Sequence, residues 1–444
     1  MKIFKRILLV VVLVLVASIA YYYPKLTIIS GYSSKYLVSQ VFIAERTTES
    51  VTNTDLQAPL IKFSSSEIDL GNKRAEASVF GLKNRKALFR EGLGGVLLNE
   101  TAELDRDYLK PNRTITFDSL PYPLGHLPAR DTLFPEVDYT RLKEAVDKAF
   151  ADPETQQTRT VLVLYKDHLI TERYVEGFGP DTPVLGWSMT KSVLATLYGI
   201  LAYQDKIDLN QPAPVNSWQE DDRKNITLNH LLRMQSGLEW DEDYDSLSDV
   251  NRMLFLTEDM SGAQETKKAL ARPGEIWNYS SGTSNLLSGI LRKQFADYQD
   301  YLNFPYKDFA DRIGMHSMLI EADLKGNFVG SSYGWASTRD WGKFGLLYLR
   351  NGNWNGEQLF DKSWVDYITT PTANSDGTYG AHFWLNAEGL YPEVPLDLYS
   401  ANGYQGQHVF IIPSKDLVIV RTGLAEKPEF DLDTFLKEIV AAFP

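Results

Sequence analysis

The sequence has 444 residues, of which 43% are hydrophobic and 23% charged, an ordinary balance for a globular protein with a large buried core. Its formal net charge of −13 is spread along the chain, which argues against nucleic acid or an anionic membrane surface as the main partner. Cysteine is absent and no two of the six histidines stand at the i, i+4 spacing of a helical metal site, so we expect neither a metal nor a cofactor.

The chain begins with a targeting pattern, in which basic residues precede an apolar run over residues 7–23. This pattern is typical of a secretory signal or a signal anchor, and it predicts that the catalytic part lies outside the cytoplasm, on the periplasmic or extracellular side. Residues 18–20 form a passable cleavage site, whereas the three tyrosines at 21–23 favour an interfacial belt and hence an anchor in the membrane. Both outcomes remain open for residues 1–24.

Residues 25–124 are predicted to form an N-terminal extension. They contain short β-type runs at 38–43, 77–80, 87–89 and 95–98, separated by polar breaks and without strong helical periodicity. Prolines at 121, 123 and 128 then mark a stiff junction. A catalytic domain is expected over residues 125–444.

The catalytic domain is predicted to begin with a helix at 139–150, followed by strands at 160–170 and 169–175 around a turn at 167–168. The middle region, 205–350, is mostly helical, and strands at 408–412 and 416–422 precede a closing helix at 431–443. Strands at both ends of the domain predict an α/β fold, in which an antiparallel sheet closed by the two termini is flanked by helices and joined by a helical lobe. A cleft between sheet and lobe is the expected site.

Ser188 and Lys191 form an S-x-x-K motif at the start of an apolar helical pattern that runs to about residue 203. The i, i+3 spacing places the lysine amine over the serine, where it can take the hydroxyl proton, and the helix N-terminus favours a developing oxyanion. The motif is weak when taken alone, because a helix-capping serine followed by a surface lysine gives the same pattern.

Tyr279 strengthens the catalytic interpretation. It follows the turn-forming pair Pro273-Gly274 and precedes a helical run, so it lies at an element boundary from which its side chain can reach a cleft. Here the sequence resembles the class C β-lactamase, D-alanyl-D-alanine carboxypeptidase and esterase group, a superfamily of serine hydrolases with a β-lactamase/transpeptidase-like fold. Within that group it looks most like the 6-aminohexanoate-dimer hydrolase branch. The resembling stretches lie at 186–192, 234–240, 273–289, 338–349 and 403–413.

The resemblance implies a role for each motif residue. Ser188 would be the acylated nucleophile, Lys191 its base and Tyr279 the proton shuttle, while Ser281 replaces an asparagine of the class C pattern. The third motif would fall on residues 401–403, with Gly403 close to the substrate and the N–H of Tyr404 completing an oxyanion hole with that of Ser188. A second register, with 404–406 in the motif and Gln407 as donor, also remains open.

The substrate surroundings are less specific. Four aromatic residues could line an apolar acyl pocket or belong to the core: Trp187, Trp240, Tyr244 and Tyr404. Acidic residues at 243 and 245 could meet a substrate amine. The expected function is hydrolysis of a small amide or ester through an acyl-enzyme on Ser188. β-Lactam or D-alanyl peptide hydrolysis and a catalytically silent penicillin-fold receptor remain the alternatives.

Overall fold

The structure is a computed structural model that describes residues 2–99 and 108–444. The helices are α1 (Lys2–Tyr22), α2 (Lys25–Phe42), α3 (Thr48–Asn53), α4 (Tyr139–Ala149), α5 (Met189–Tyr203), α6 (Leu228–Leu232), α7 (Asp249–Leu256), α8 (Ser281–Arg292), α9 (Tyr298–Pro305), α10 (Thr338–Leu349), α11 (Lys362–Thr369) and α12 (Leu432–Val440). The strands are β1 (Ser64–Asp69), β2 (Arg74–Val79), β3 (Leu82–Arg90), β4 (Gly94–Leu98), β5 (Thr158–Tyr165), β6 (His168–Tyr174), β7 (Pro183–Leu185), β8 (Leu319–Ile320), β9 (Gly334–Ser337), β10 (Asn353–Trp354), β11 (Glu357–Gln358), β12 (Trp384–Leu385), β13 (Tyr399–Gly403), β14 (Gln407–Ile412) and β15 (Leu417–Gly423).

The described chain divides into two compact units. Residues 2–99 and 241–258 belong to the first, and residues 108–240 and 259–444 to the second. The segment 241–258 includes α7. It lies in the middle of the predicted catalytic domain in sequence but belongs to the first unit.

The first unit is built on an antiparallel sheet in the order β1-β2-β3-β4, with α2 packed against it. Three strands, β2, β3 and β4, lie where short β-type runs were predicted. The strand predicted at 38–43 is wrong, because residues 38–42 form the last part of α2. Leu37 and Val38 are fully buried within this helix. Burying a helix face against the sheet outweighs the modest strand preference of a few β-branched residues.

Within residues 2–99 and 108–444, no helix has both the length and the apolar character needed to cross a membrane. The N-terminal helix α1 nevertheless leaves large apolar side chains exposed, with Ile7 and Leu9 each 59% accessible to solvent.

The second unit contains an antiparallel sheet of six strands in the order β12-β13-β14-β15-β5-β6. The N-terminal hairpin β5-β6 lies beside β15 near the C-terminus, so the prediction of a sheet closed by the two ends of the domain is confirmed. Lys166 and Asp167 make the tight turn of that hairpin with φ of 45° and 61°. Both values lie in the left-handed region used by two-residue hairpin turns.

Helices cover both faces of this sheet. Val161 and Val163 point into a cluster shared with residues of α4 and α12, such as Leu142 and Ile439. Their neighbours Leu162 and Leu164 face the opposite side, near Gly342 of α10. Every residue of β5 is buried, as expected for a strand that is covered on both faces. The α/β fold predicted from the sequence is thus present.

Candidate active site

The nucleophile candidate lies at a sharp turn between a short strand and a buried helix. β7 ends at Leu185, Gly186 donates its N–H to the carbonyl of Gly334 at 2.8 Å, and α5 begins one residue after Ser188. Trp187 adopts a φ of 47°, a costly conformation for a bulky residue. The backbone is thereby turned so that Ser188 stands at the helix N-terminus, 9% exposed to solvent.

Lys191 is the centre of the site's hydrogen bonding. Its ammonium donates to Ser188 Oγ at 2.9 Å, to Ser281 Oγ at 3.0 Å and to the carbonyl oxygen of Ser331 at 2.9 Å. The side chain is only 1% exposed, so these acceptors replace the water that it loses on burial. Ser188 occupies the N-cap position of α5, yet its hydroxyl accepts from Lys191 rather than capping the helix.

Tyr279 lies near this lysine, two residues before the start of α8. The Lys191 nitrogen lies 4.9 Å from the centre of the Tyr279 ring. The segment before α8 is fixed by the N–H of Asn278, which donates to the carbonyl of Met234 at 2.9 Å, and by Ser280, whose hydroxyl caps the helix. Tyr279 itself is only partly buried, so it remains reachable from solvent.

The segment proposed as third motif lies against the turn that precedes Ser188. A Cβ added to Gly403 would stand 2.0 Å from the carbonyl oxygen of Gly186, so the two backbones are in direct contact. The rings of Tyr404 and Trp187 lie edge to face with centroids 5.7 Å apart. Gly406 instead faces the guanidinium of Arg421, with which a Cβ would collide at 2.1 Å. Gly403, rather than Gly406, is therefore the glycine that contacts Gly186, two residues before Ser188.

Ser281 and Trp240 are both buried, and the Ser281 hydroxyl accepts from Lys191. Ser281 is fully buried, and Trp240 is 7% exposed. A Cβ on Gly282 would stand 2.4 Å from the Trp240 ring, so this ring packs against the first turn of α8. Ser281 thus helps to hold Lys191, and contact of Ser281 and Trp240 with a substrate stays a prediction.

Four further charged or aromatic side chains, Tyr244, Asp243, Asp245 and Arg339, are candidates for substrate contacts. Tyr244 donates to Glu242 at 2.9 Å within the first unit, to which Asp243 and Asp245 also belong. Arg339, a possible cation for a substrate carboxylate, is paired with Glu172 at 2.9 Å from its Nε. Among residues 2–99 and 108–444, no cluster of three or more His, Cys, Asp or Glu side chains is placed to hold a metal ion.

His382 is a supporting residue that the sequence did not reveal. Its ring nitrogens contact the carbonyl of Leu232 at 2.6 Å and the hydroxyl of Ser284 at 3.0 Å, while Ser192 donates to its backbone carbonyl at 2.7 Å. It thus links α5, which carries Lys191, to α8. Complete burial, together with the nearby charge of Lys191, lowers the pKa of His382 to about 3, so the ring is neutral at physiological pH.

Arg421 supports the Gly403 segment in a similar way. Its guanidinium donates to the carbonyls of Gly406 at 2.8 Å and Gln156 at 2.6 Å, and to the hydroxyl of Thr158 at 2.9 Å. These bonds tie the β13–β14 turn to the central sheet. Burial lowers the pKa of this guanidinium, and its acceptors compensate for the lost hydration.

Comparison with known proteins agrees with this architecture. Residues 146–438 match the Beta-lactamase family. The 6-aminohexanoate-dimer hydrolase of Paenarthrobacter ureafaciens is 24% identical over 345 residues, which cover 69% of this chain and 80% of that enzyme. Among solved structures, a family VIII carboxylesterase superposes with a TM-score of 0.56 at 15% identity, covering 71% of this chain and 100% of its own. A penicillin-binding protein homologue from Caulobacter crescentus gives a TM-score of 0.55 at 15% identity, with coverage of 68% and 97%.

The fold and these relatives define a serine hydrolase of the β-lactamase type. The chain belongs to the Beta-lactamase family.

Proposed function

We propose that this chain hydrolyses small amides or esters through an acyl-enzyme on Ser188. The observation that carries the proposal is the 2.9 Å contact between Lys191 Nζ and Ser188 Oγ, next to the partly exposed Tyr279 ring. A buried amine at this distance can take the serine proton when it is itself neutral, which turns a weak hydroxyl nucleophile into an effective one.

The proposed reaction has two steps. In the first, Ser188 Oγ bonds to the substrate carbonyl carbon while its proton passes to Lys191. The bond to the leaving amine or alcohol then breaks, and the leaving group takes a proton from the coupled pair of Lys191 and Tyr279. In the second, water attacks the acyl carbon, its proton returns through the same pair, and Ser188 is released with a carboxylic acid as product.

The developing oxyanion requires preorganised donors. We propose the backbone N–H groups of Ser188 and Tyr404 for this role. The direct contact of Gly403 with Gly186 supports this register, since it brings the residue after β13 beside the turn that precedes Ser188. Gln407 is the strand partner of Gly403, so the register with Gln407 as donor is the second candidate.

The substrate class follows from what surrounds the serine. Aromatic rings lie near the serine and lysine, with Trp187 beside Tyr404 at 5.7 Å and Tyr279 beside Trp384 at 5.4 Å. In the register proposed above, Ala401 takes the place of the lysine or histidine of β-lactamases in the resembling group, and it is fully buried. This arrangement favours a small, uncharged acyl group. The 6-aminohexanoate-dimer hydrolase and carboxylesterase relatives are consistent with amide and ester substrates.

A fluorophosphonate probe and a small substrate panel test the proposal. The probe should label the wild-type chain and leave Ser188→Ala unlabelled, while p-nitrophenyl esters and linear amides should be turned over. Absence of labelling and of turnover would favour a silent receptor that uses the same fold without chemistry.

We also propose that residues 1–24 place the chain outside the cytoplasm, either as an attachment to the membrane or as a signal that is removed. Basic residues followed by a long apolar run support this proposal, as do the exposed apolar side chains of α1. Cell fractionation combined with the mass of the mature N-terminus tests it. Full-length chain in the cytoplasmic fraction would contradict it.

A further inference from the structure

One end of the first unit's sheet carries large exposed apolar side chains. This surface, here called the sheet tip, lies where β1 begins and β2 turns into β3, since Ser64 pairs with Val79 and Val79 with Leu82. Phe63 and Phe80 lie 6.0 Å apart between ring centres. The apolar members of the tip and their exposed fractions are Leu60 (50%), Phe63 (48%), Phe80 (75%) and Leu82 (46%).

The tip lies next to the point where α1 ends. Lys83 of β3 places its ammonium 4.4 Å from the centre of the Tyr23 ring. Lys25 lies 4.3 Å from the centre of the Tyr21 ring. Ser30 near the start of α2 donates to the carbonyl of Lys83 at 2.6 Å. The exposed tyrosines at 21–23 and the sheet tip therefore form one continuous surface.

The charge of this surface differs from that of the chain as a whole. Lysines at 25, 62 and 83 border it, and residues 58–66 and 78–85 contain no aspartate or glutamate, although the chain has a net charge of −13. The opposite end of the sheet is different: the turn after β1 carries Asp69, which accepts from Asn72 at 2.7 Å. The tip segments thus differ in lacking acidic residues, although the opposite end also carries a lysine, Lys73, whose ammonium lies 5.5 Å from the centre of the Phe89 ring.

Exposed aromatic rings bordered by lysines are typical of surfaces that rest in the headgroup layer of a bilayer. The rings enter the boundary of the acyl chains, and the ammonium groups meet anionic phosphates. The apolar side chains of α1 continue the same surface, which favours a lipid surface over a folded protein as the occupant. We propose that the sheet tip docks the first unit on a membrane that contains anionic lipid.

This inference rests on the proposed placement of the N-terminal segment at a membrane, and it adds a second contact with the bilayer. Because the chain has no cysteine, single cysteines can report on each position. Full-length Phe80→Cys and Phe63→Cys would be labelled with the fluorophore NBD and mixed with vesicles of 70% phosphatidylcholine and 30% phosphatidylglycerol. Leu70→Cys is the matched control, since Leu70 is 62% exposed at the other end of the same sheet.

The expected result is a blue shift of NBD emission and quenching by lipid-borne nitroxide at positions 63 and 80, with neither at position 70. The shift should weaken in pure phosphatidylcholine and in the Lys62→Glu, Lys83→Glu background. If the chain floats with vesicles but labels at 63 and 80 stay as water-exposed as the label at 70, the tip does not dock and this inference is overturned. If the chain does not float at all, the proposed attachment by residues 1–24 fails as well.

Discussion

Gly403 and Gly186 are in backbone contact, since a Cβ on Gly403 would stand only 2.0 Å from the Gly186 carbonyl oxygen. We therefore predict that Gly403→Ala pushes the end of β13 away from the turn that precedes Ser188 and lowers kcat by about a hundredfold or more, as expected when oxyanion donors are displaced. Gly179→Ala is the control, because a Cβ there would meet its nearest atom at 3.9 Å. The measurement is kcat of both variants with p-nitrophenyl butyrate. If Gly403→Ala is as active as Gly179→Ala, the oxyanion donors lie elsewhere.

Lys191 and Tyr279 should act as one proton-transfer unit. Lys191→Ala or Tyr279→Phe is predicted to lower kcat by on the order of a hundredfold or more, the usual contribution of a positioned acid or base. The double variant should lose little beyond the worse single one, because the two groups work on the same proton. Tyr203→Phe, at the exposed end of α5, controls for loss of a hydroxyl alone. Independent, multiplicative losses would show that the pair is not coupled.

The lowered pKa of His382 predicts that the free energy of unfolding depends on pH. Its pKa is about 3 in the folded chain and about 6.5 when unfolded, so between these values only the unfolded chain binds the proton. The contribution of His382 to the free energy of unfolding should therefore fall as the pH is lowered from about 6.5 toward 3. His408, whose burial lowers its pKa to about 3, adds to the same trend.

Replacing His382 by glutamine should flatten this dependence, since each pKa unit of difference is worth ~1.4 kcal/mol. Urea unfolding between pH 4.5 and 7.5 measures it, with the partly buried His168→Asn as control. If the free energy of unfolding changes with pH equally in His382→Gln and in the wild type, His382 does not contribute to this pH dependence as predicted.

β-Lactams should be poor substrates. A charge-assisted hydrogen bond to the substrate carboxylate is worth about 1.5–3 kcal/mol, or about ten- to a hundredfold. Ala401 offers no charge, and Arg339 is held by Glu172. We predict that kcat/KM for p-nitrophenyl butyrate exceeds that for nitrocefin on the same preparation. The reverse order would make β-lactam hydrolysis the better account of the site.

Much of the fold could be predicted because its signals are local. The strands at 408–412 and 416–422 are apolar runs separated by Pro413, and they appear as β14 and β15 with small shifts at their ends. The start of α5 followed from the apolar helical face after Ser188. The helix α2 could not be predicted in the same way, because its burial depends on the sheet formed by residues that follow it in the chain.

The supporting residues of the site were hidden for a different reason. The Ser331 carbonyl that accepts from Lys191 is a backbone atom 140 residues away, so its side chain carries no signal of this role. His382 contacts Leu232 and Ser284, which are 150 and 98 residues distant in sequence. An isolated histidine gives no indication of such partners, whereas Ser188 and Lys191 are linked by the spacing of one helical turn.

The central claim is that Ser188 carries the acyl group during turnover. The most direct test is intact mass and peptide mapping after quenching the full-length chain with a slowly hydrolysed p-nitrophenyl ester. One added acyl mass is expected, located on the peptide that contains Ser188 and absent from Ser188→Ala. An acyl group on another residue, or full turnover by Ser188→Ala, would contradict it.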